Sequence, residues 1–306
     1  MHKIIKRLAS LSAIGMFIVL VMGALVTKTE SGRGCGDDWP LCNGKFVPAY
    51  TISSFIEYSH RAVVGIVTLL LVVTALLVFR YIKRSDARLF VAGAVFFTLL
   101  QAVLGAMAVK WPQSSAILAL HFGLSLLAFA CTLLLALVFT RWGDYTSKIG
   151  GNLTKGLRIL VWVTAIYCYA VVYLGAFVRH TVSSGGCSGW PLCNGQLIPD
   201  MSGATGIVYT HRIAALLLFF CILILFLTAR KGYHPTEPIV QGSKWAFILV
   251  LTQVISGAVV TWSIGNDLFY LFAGMMHAVI IACLFGLLSY LCVLTFYYKK
   301  TSIEIR

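Results

Sequence analysis

Six residues occur twice in this chain. Trp39-Pro40-Leu41-Cys42-Asn43-Gly44 returns as Trp190-Pro191-Leu192-Cys193-Asn194-Gly195. Each copy follows a glycine-rich run that carries an earlier cysteine, Cys35 or Cys187. Each is followed by Pro48 or Pro199, and then by His60-Arg61 or His211-Arg212. The offset is 152 residues up to the first cysteine and 151 beyond it, about half the chain. A repeat on this scale makes the fold a duplicated unit, and every functional residue has to be read against its counterpart.

What the unit is made of follows from its apolar runs. Near 8–27, 55–79, 89–109, 116–139, 157–178, 207–229, 245–263 and 269–296 the chain offers stretches of the length a membrane helix needs, roughly 20 mostly apolar residues. Only 11% of the residues are charged and 59% are hydrophobic, whereas a soluble domain is usually about a quarter charged. Inside lipid every backbone polar group has to be satisfied within its own segment. The runs therefore read as helices; they are too long and too uniformly apolar for barrel strands. The first run follows Lys3, Lys6 and Arg7 without a cleavage-site pattern and reads as a retained span.

Orientation comes from the short segments between runs. The N-terminus, Arg80 to Arg88, Arg141 to Arg158, Arg230 to Lys244 and the tail with Lys299, Lys300 and Arg306 are basic, and they alternate with segments near neutral. The positive-inside rule puts both termini in the cytoplasm and both Trp-Pro-Leu-Cys loops outside, with Trp39, Trp111, Trp190 and Trp262 at outer helix ends. The formal charge of +14 is thereby accounted for, and no nucleic-acid partner is expected. The repeat extends into the spans: Gly23-Ala24 matches Gly175-Ala176, Gln101 with Gly105-Ala106 matches Gln253 with Gly257-Ala258, and His121 matches His277. Four spans per half give both halves the same orientation, as parallel repeats. The expectation is an all-α integral membrane protein of eight transmembrane helices. They would form two four-helix bundles, residues 1–142 and 157–306, joined by a cytoplasmic linker at 143–156. Multi-pass residence in the cell membrane, in contact with lipid, follows.

The nine cysteines sort by place. Cys131, Cys168, Cys221, Cys283 and Cys292 lie in spans, where a thiol acts as a small hydrophobe. Cys35 with Cys42, and Cys187 with Cys193, lie in outer loops at short spacing. The first loop holds no third cysteine or histidine to complete a metal site, and the outer compartment is oxidising, so disulfides Cys35–Cys42 and Cys187–Cys193 are favoured. Each would contribute about 2.5 kcal/mol by constraining the unfolded chain. A redox-active role for one pair stays open.

Polar side chains within spans are costly and mark function by default. His60, His121, His211 and His277 each lie roughly two turns inside the outer end of an even-numbered span. One such histidine alone reads as a hydrogen-bonding residue between helices. Four at matched depth, two per repeat, read as ligands. Imidazole suits iron, copper and zinc, but zinc wants further protein ligands and copper tends to recruit sulfur. Two histidines among Gly, Leu, Val and Phe suit the axial positions of a haem in a helix bundle. His60 with His121, and His211 with His277, are therefore candidate iron-binding pairs. Arg61 and Arg212, next in sequence, read equally as haem-propionate contacts or as interfacial arginines snorkelling to headgroups. The paired glycines suit close approach of a macrocycle or of a helix.

One difference between the repeats stands out. Glu57 lies one turn before His60, and its counterpart is Val208. A carboxylate there either pairs with Arg61 at i+4 or serves a reaction confined to the first half.

Taken together, Gly23 to Thr29, Gly34-Cys35 to Trp39-Pro40-Leu41-Cys42, Glu57-Tyr58-Ser59-His60-Arg61, Ala119-Leu120-His121-Phe122-Gly123, and the second Trp190-Pro191-Leu192-Cys193 with His211-Arg212 resemble haem A synthase, in its bacterial form with two cysteine pairs. The likeness covers nearly the whole chain. It implies an oxidoreductase that converts the C8 methyl of haem O, its substrate, to a formyl group by two successive hydroxylations. It further implies haem b as cofactor on His211 and His277, the substrate haem on His60 and His121, and an essential role for Glu57. A complex with the haem O synthase (a farnesyltransferase) and a quinone-type electron partner are associated expectations. The competing reading is a non-catalytic dihaem b-type cytochrome, which accounts for the histidines but not for a glutamate in one half only. A proton-relaying transporter is a third, disfavoured because no span is interrupted at its midplane by Pro and Gly.

Overall fold

The computed structural model describes residues 1–39, 41–46, 51–140, 143 and 152–304, with side chains to Tyr298. Pro40, Pro48, Arg141, Arg306 and most of the linker expected at 143–156 lie outside the described residues. Eight long helices follow one another: α1 His2–Lys28, α2 Ile52–Tyr81, α3 Ser85–Lys110, α4 Ser115–Val138, α5 Lys155–His180, α6 Gly203–Gly232, α7 Pro238–Trp262 and α8 Asp267–Glu304. All eight are long and apolar enough to cross a membrane, so the chain is an all-helical, multi-pass membrane protein.

Helix starts follow local chemistry. Thr51, Ser114 and Thr154 cap α2, α4 and α5, their hydroxyls accepting from the amides of Ser54, Ile117 and Leu157. These bonds satisfy amides that the helix itself leaves open. Pro238 opens α7, where a missing N–H costs nothing.

The chain divides into two compact units, Met1–Gly143 and Asp144–Arg306. In the first, α1 packs on α2 and α4, and α3 packs on α2 and α4, closing a ring of four. In the second, α5 to α8 repeat that order. Buried positions on α1 run Ile5, Ala9, Ser12, Ala13, Met16, Leu20 and Ala24, spaced three and four apart as one helical face requires. Within that face the Ser12 and Thr74 hydroxyls meet at 3.1 Å, and Thr74 also donates to the Leu70 carbonyl, so neither buried oxygen is left unpaired. The second unit is fastened at one end by Tyr233, whose hydroxyl lies 2.9 Å from the Thr154 amide, and by Tyr298, which donates to Glu237.

The duplicated loops fold alike. Asn43-Gly44 and Asn194-Gly195 all have positive φ, the backbone of a tight hairpin turn that Asn-Gly supplies at low cost. Each turn closes an antiparallel bridge, Cys42 with Lys45 and Cys193 with Gln196. The Asn43 and Asn194 side-chain amides reach back to the carbonyls of Gly34 and Gly186. Cys35 is bonded to Cys42 and Cys187 to Cys193, all four buried. The repeated six-residue block is thus largely a turn-and-crosslink module.

Candidate functional site

Each of the four candidate ligands lies against a glycine of the preceding helix. A Cβ on Gly23 would stand 3.4 Å from His60 Cε1, and on Gly105 3.7 Å from His121 Cε1. In the second unit the corresponding distances are 2.8 Å from Gly175 to His211 and 3.4 Å from Gly257 to His277. The glycines that the sequence marks as paired therefore receive imidazole rings, and the absent methyl is what lets ring and helix approach. His60 and His121 stand at the α1/α2 and α3/α4 interfaces of one ring, and His211 and His277 at the equivalent interfaces of the other.

Burial of the rings is uneven. Nδ1 of His60 and of His211 is closed off from solvent and finds no hydrogen-bond partner among the described residues, although each residue as a whole stays half-buried. His277 is engaged at both nitrogens: Nε2 lies 3.0 Å from the Gln253 side-chain nitrogen and Nδ1 2.8 Å from Ser256 Oγ. In the first unit Gln101 makes a different bond, donating to the backbone carbonyl of His121 at 2.7 Å.

Among the described residues no group of three or more His, Cys, Asp and Glu comes together. A bare metal ion that needs three or four protein ligands does not suit such a donor set. A haem brings four nitrogens of its own and asks the protein for axial imidazoles alone, so two histidines per unit fit it. His60 with His121 and His211 with His277 are the residues that would hold such groups.

Glu57 sits under the first cystine loop. Its carboxylate, 3% exposed, accepts from the Cys35 amide at 2.8 Å through Oε2 and pairs with Arg61 through Oε1. Arg61 in turn donates to the carbonyls of Asp38 at 2.8 Å and Leu41 at 2.7 Å. Arg212 does likewise in the second unit, reaching the Leu192 carbonyl at 3.2 Å and the Thr261 hydroxyl at 3.2 Å. Both arginines thus anchor a loop to a helix, a role their sequence neighbourhood did not suggest. Val208 occupies the place of Glu57 in the second unit and packs directly on Cys187 and Cys193, with Val178 and Tyr209 beside it. The same spot beneath a disulfide is apolar in one unit and a buried, paired carboxylate in the other.

Comparison with known proteins adds an independent line. A family model described as cytochrome oxidase assembly protein (COX15-CtaA) matches residues 6–289. A protein of Alkalihalophilus pseudofirmus named "Heme A synthase" is 39% identical over 294 residues, covering 95% of this chain and 97% of the relative. Proteins of the same name from Halalkalibacterium halodurans (40% identical; 95% of this chain, 97% of the relative) and Shouchella clausii (39% identical; 98% and 99%) are similar over comparable lengths. A family model spanning most of the chain and such relatives over nearly its whole length place this protein in the COX15-CtaA family, among the haem A synthases.

Proposed function

We propose that this protein is a haem A synthase, an oxidoreductase that converts the C8 methyl group of haem O to a formyl group. The observation that carries the reading is the fourfold histidine–glycine contact, two per unit, in a chain whose relatives bear that name. On this reading His211 and His277 hold a resident haem b, and His60 and His121 take the substrate haem. The bound haem b supplies electron transfer. The methyl carbon gives up four electrons in all, through a hydroxymethyl group and then a gem-diol that loses water to the aldehyde. A quinone-type acceptor and a complex with the farnesylating haem O synthase fit this chemistry. Alternating basic segments support an orientation in the cell membrane with both cystine loops outside and both halves running the same way.

The chain's own contributions are placement and electrostatics. Glycine-lined interfaces hold the imidazoles among apolar side chains. In the first unit Glu57 puts a negative charge one turn from His60, where it stabilises positive charge developing at the methyl carbon or takes a proton from it. Its bonds to Cys35 and Arg61 keep the carboxylate in one position, as a preorganised group needs. Arg61 and Arg212 retain unused donors that suit haem propionates.

The test is direct. Protein purified from membranes should show low-spin haem b, and cells expressing it with a haem O source should yield haem A on extraction. Replacing His211 or His277 by Ala should remove most of the retained haem b. A dihaem electron carrier would keep both haems and form no haem A, and that outcome would overturn the proposal.

A further inference from the structure

Ser256 stands on α7 where the first unit carries Leu104. Its hydroxyl has two partners, the Gln253 carbonyl at 2.9 Å and His277 Nδ1 at 2.8 Å. A carbonyl can only accept, and a serine has one proton. Both contacts are satisfied together only when Ser256 donates to Gln253 and His277 donates from Nδ1–H to Ser256. That fixes the tautomer and leaves the lone pair on Nε2. The Gln253 side-chain nitrogen, 3.0 Å from Nε2, is a donor and demands the same assignment. Two independent neighbours therefore agree on which nitrogen is available to a metal.

Nothing equivalent stands in the first unit. Leu104 has no hydroxyl, and Gln101 spends its amide on the His121 backbone rather than on the ring. An imidazole whose tautomer and angle are set by a second residue binds metal more tightly, and losing that residue typically costs about 10- to 100-fold in affinity. A unit that keeps a cofactor profits from this; a unit that must release its product does not.

We infer that Ser256 is a positioning residue for His277, and that the Ser256/Leu104 difference makes the second unit retain its haem while the first exchanges it. The inference rests on the ligand assignment proposed above, and its test separates the two. Holoprotein in detergent is mixed with excess apomyoglobin, and haem b transfer is followed by absorbance for the wild type, Ser256→Ala, Ser256→Thr and His277→Ala. Ser256→Ala should purify with low-spin haem b and lose it about 10- to 100-fold faster. Ser256→Thr, which restores a hydroxyl, should return the rate to within a few-fold of wild type, and His277→Ala should purify with little haem b. Should Ser256→Ala transfer haem at the wild-type rate while His277→Ala loses it, the positioning role falls and the ligand stands. A six-coordinate spectrum surviving in His277→Ala sinks the ligand assignment and this inference with it. Low-spin electron paramagnetic resonance of Ser256→Ala gives a second readout: its g-values should shift, because they follow imidazole orientation, and unchanged values would contradict the inference.

Discussion

Glu57 satisfies two neighbours at once, and separating those roles is the most informative single-residue experiment. Glutamine keeps an acceptor for the Cys35 amide but discards the charge. Glu57→Gln should therefore leave the fold and the second unit's haem b intact while haem A formation falls ~10²–10³-fold, the usual cost of one preorganised charge. Chromatography of extracted haems would read this, with haem O or a hydroxymethyl intermediate accumulating; a normal yield would reduce Glu57 to a structural partner of Arg61. Alanine leaves both the amide and Arg61 without their acceptor. Its expected additional cost is about 1–3 kcal/mol, visible as a lower unfolding temperature. A different residue carries strain. Val182, just past α5, has φ +54 and closes that helix, with the Ser183 amide bonding the Val178 carbonyl. Glycine is the usual occupant of such a position, since a β-branched side chain crowds the backbone there. Val182→Gly should raise stability by up to about 1 kcal/mol, and thermal unfolding in detergent would check it.

At the scale of helices, the imidazole–glycine contacts form a graded series that makes a graded prediction. Adding a methyl at Gly175 forces the His211 ring aside, because the nearest ring atom is 2.8 Å away. The same change at Gly23 or Gly257 meets the ring at 3.4 Å, and at Gly105 it is accommodated at 3.7 Å. Haem b retention should suffer most in Gly175→Ala and less in Gly257→Ala; haem A yield should dip in Gly23→Ala and stay near normal in Gly105→Ala. Ranking the four variants by haem content and product tests the order, and equal effects would show that the glycines serve helix packing alone. Much of this level is legible in the sequence. Eight spans can be read off because each apolar run is about as long as the bilayer is thick. Helix ends differ modestly, as in α2, expected near 55–79 and observed over Ile52–Tyr81, because Thr51 supplies a cap ahead of the apolar run. The ring–glycine contacts are hidden, since two glycine pairs and four histidines do not say which helix faces which. Likewise Ser256 is visible as a departure from Leu104, but nothing in the order of residues tells that it meets a ring 21 positions away.

For the molecule as a whole, duplication with divergence is the governing fact: one scaffold built twice, carrying Glu57 in one copy and Ser256 in the other. Each unit has its own ring of helices and its own cystine loop. Met1–Gly143 produced alone should therefore insert in the membrane and form Cys35–Cys42, detectable as resistance to alkylation before reduction; a free thiol pair would show that the first unit depends on the second. Ring closure also has a consequence in time. In both units the first helix packs on the last, so a unit is finished only when its fourth helix leaves the ribosome. About 90 residues separate the end of α1 from the start of α4, and at roughly 5–20 residues per second α1 waits several seconds in lipid for its neighbour. His277 is made later still, in the final helix. On the proposed ligand set, haem b cannot be gripped by two imidazoles until synthesis is almost over. Ribosome-bound chains stopped before α8 would then carry no six-coordinate haem, and loading the cofactor becomes the last event in the making of the protein.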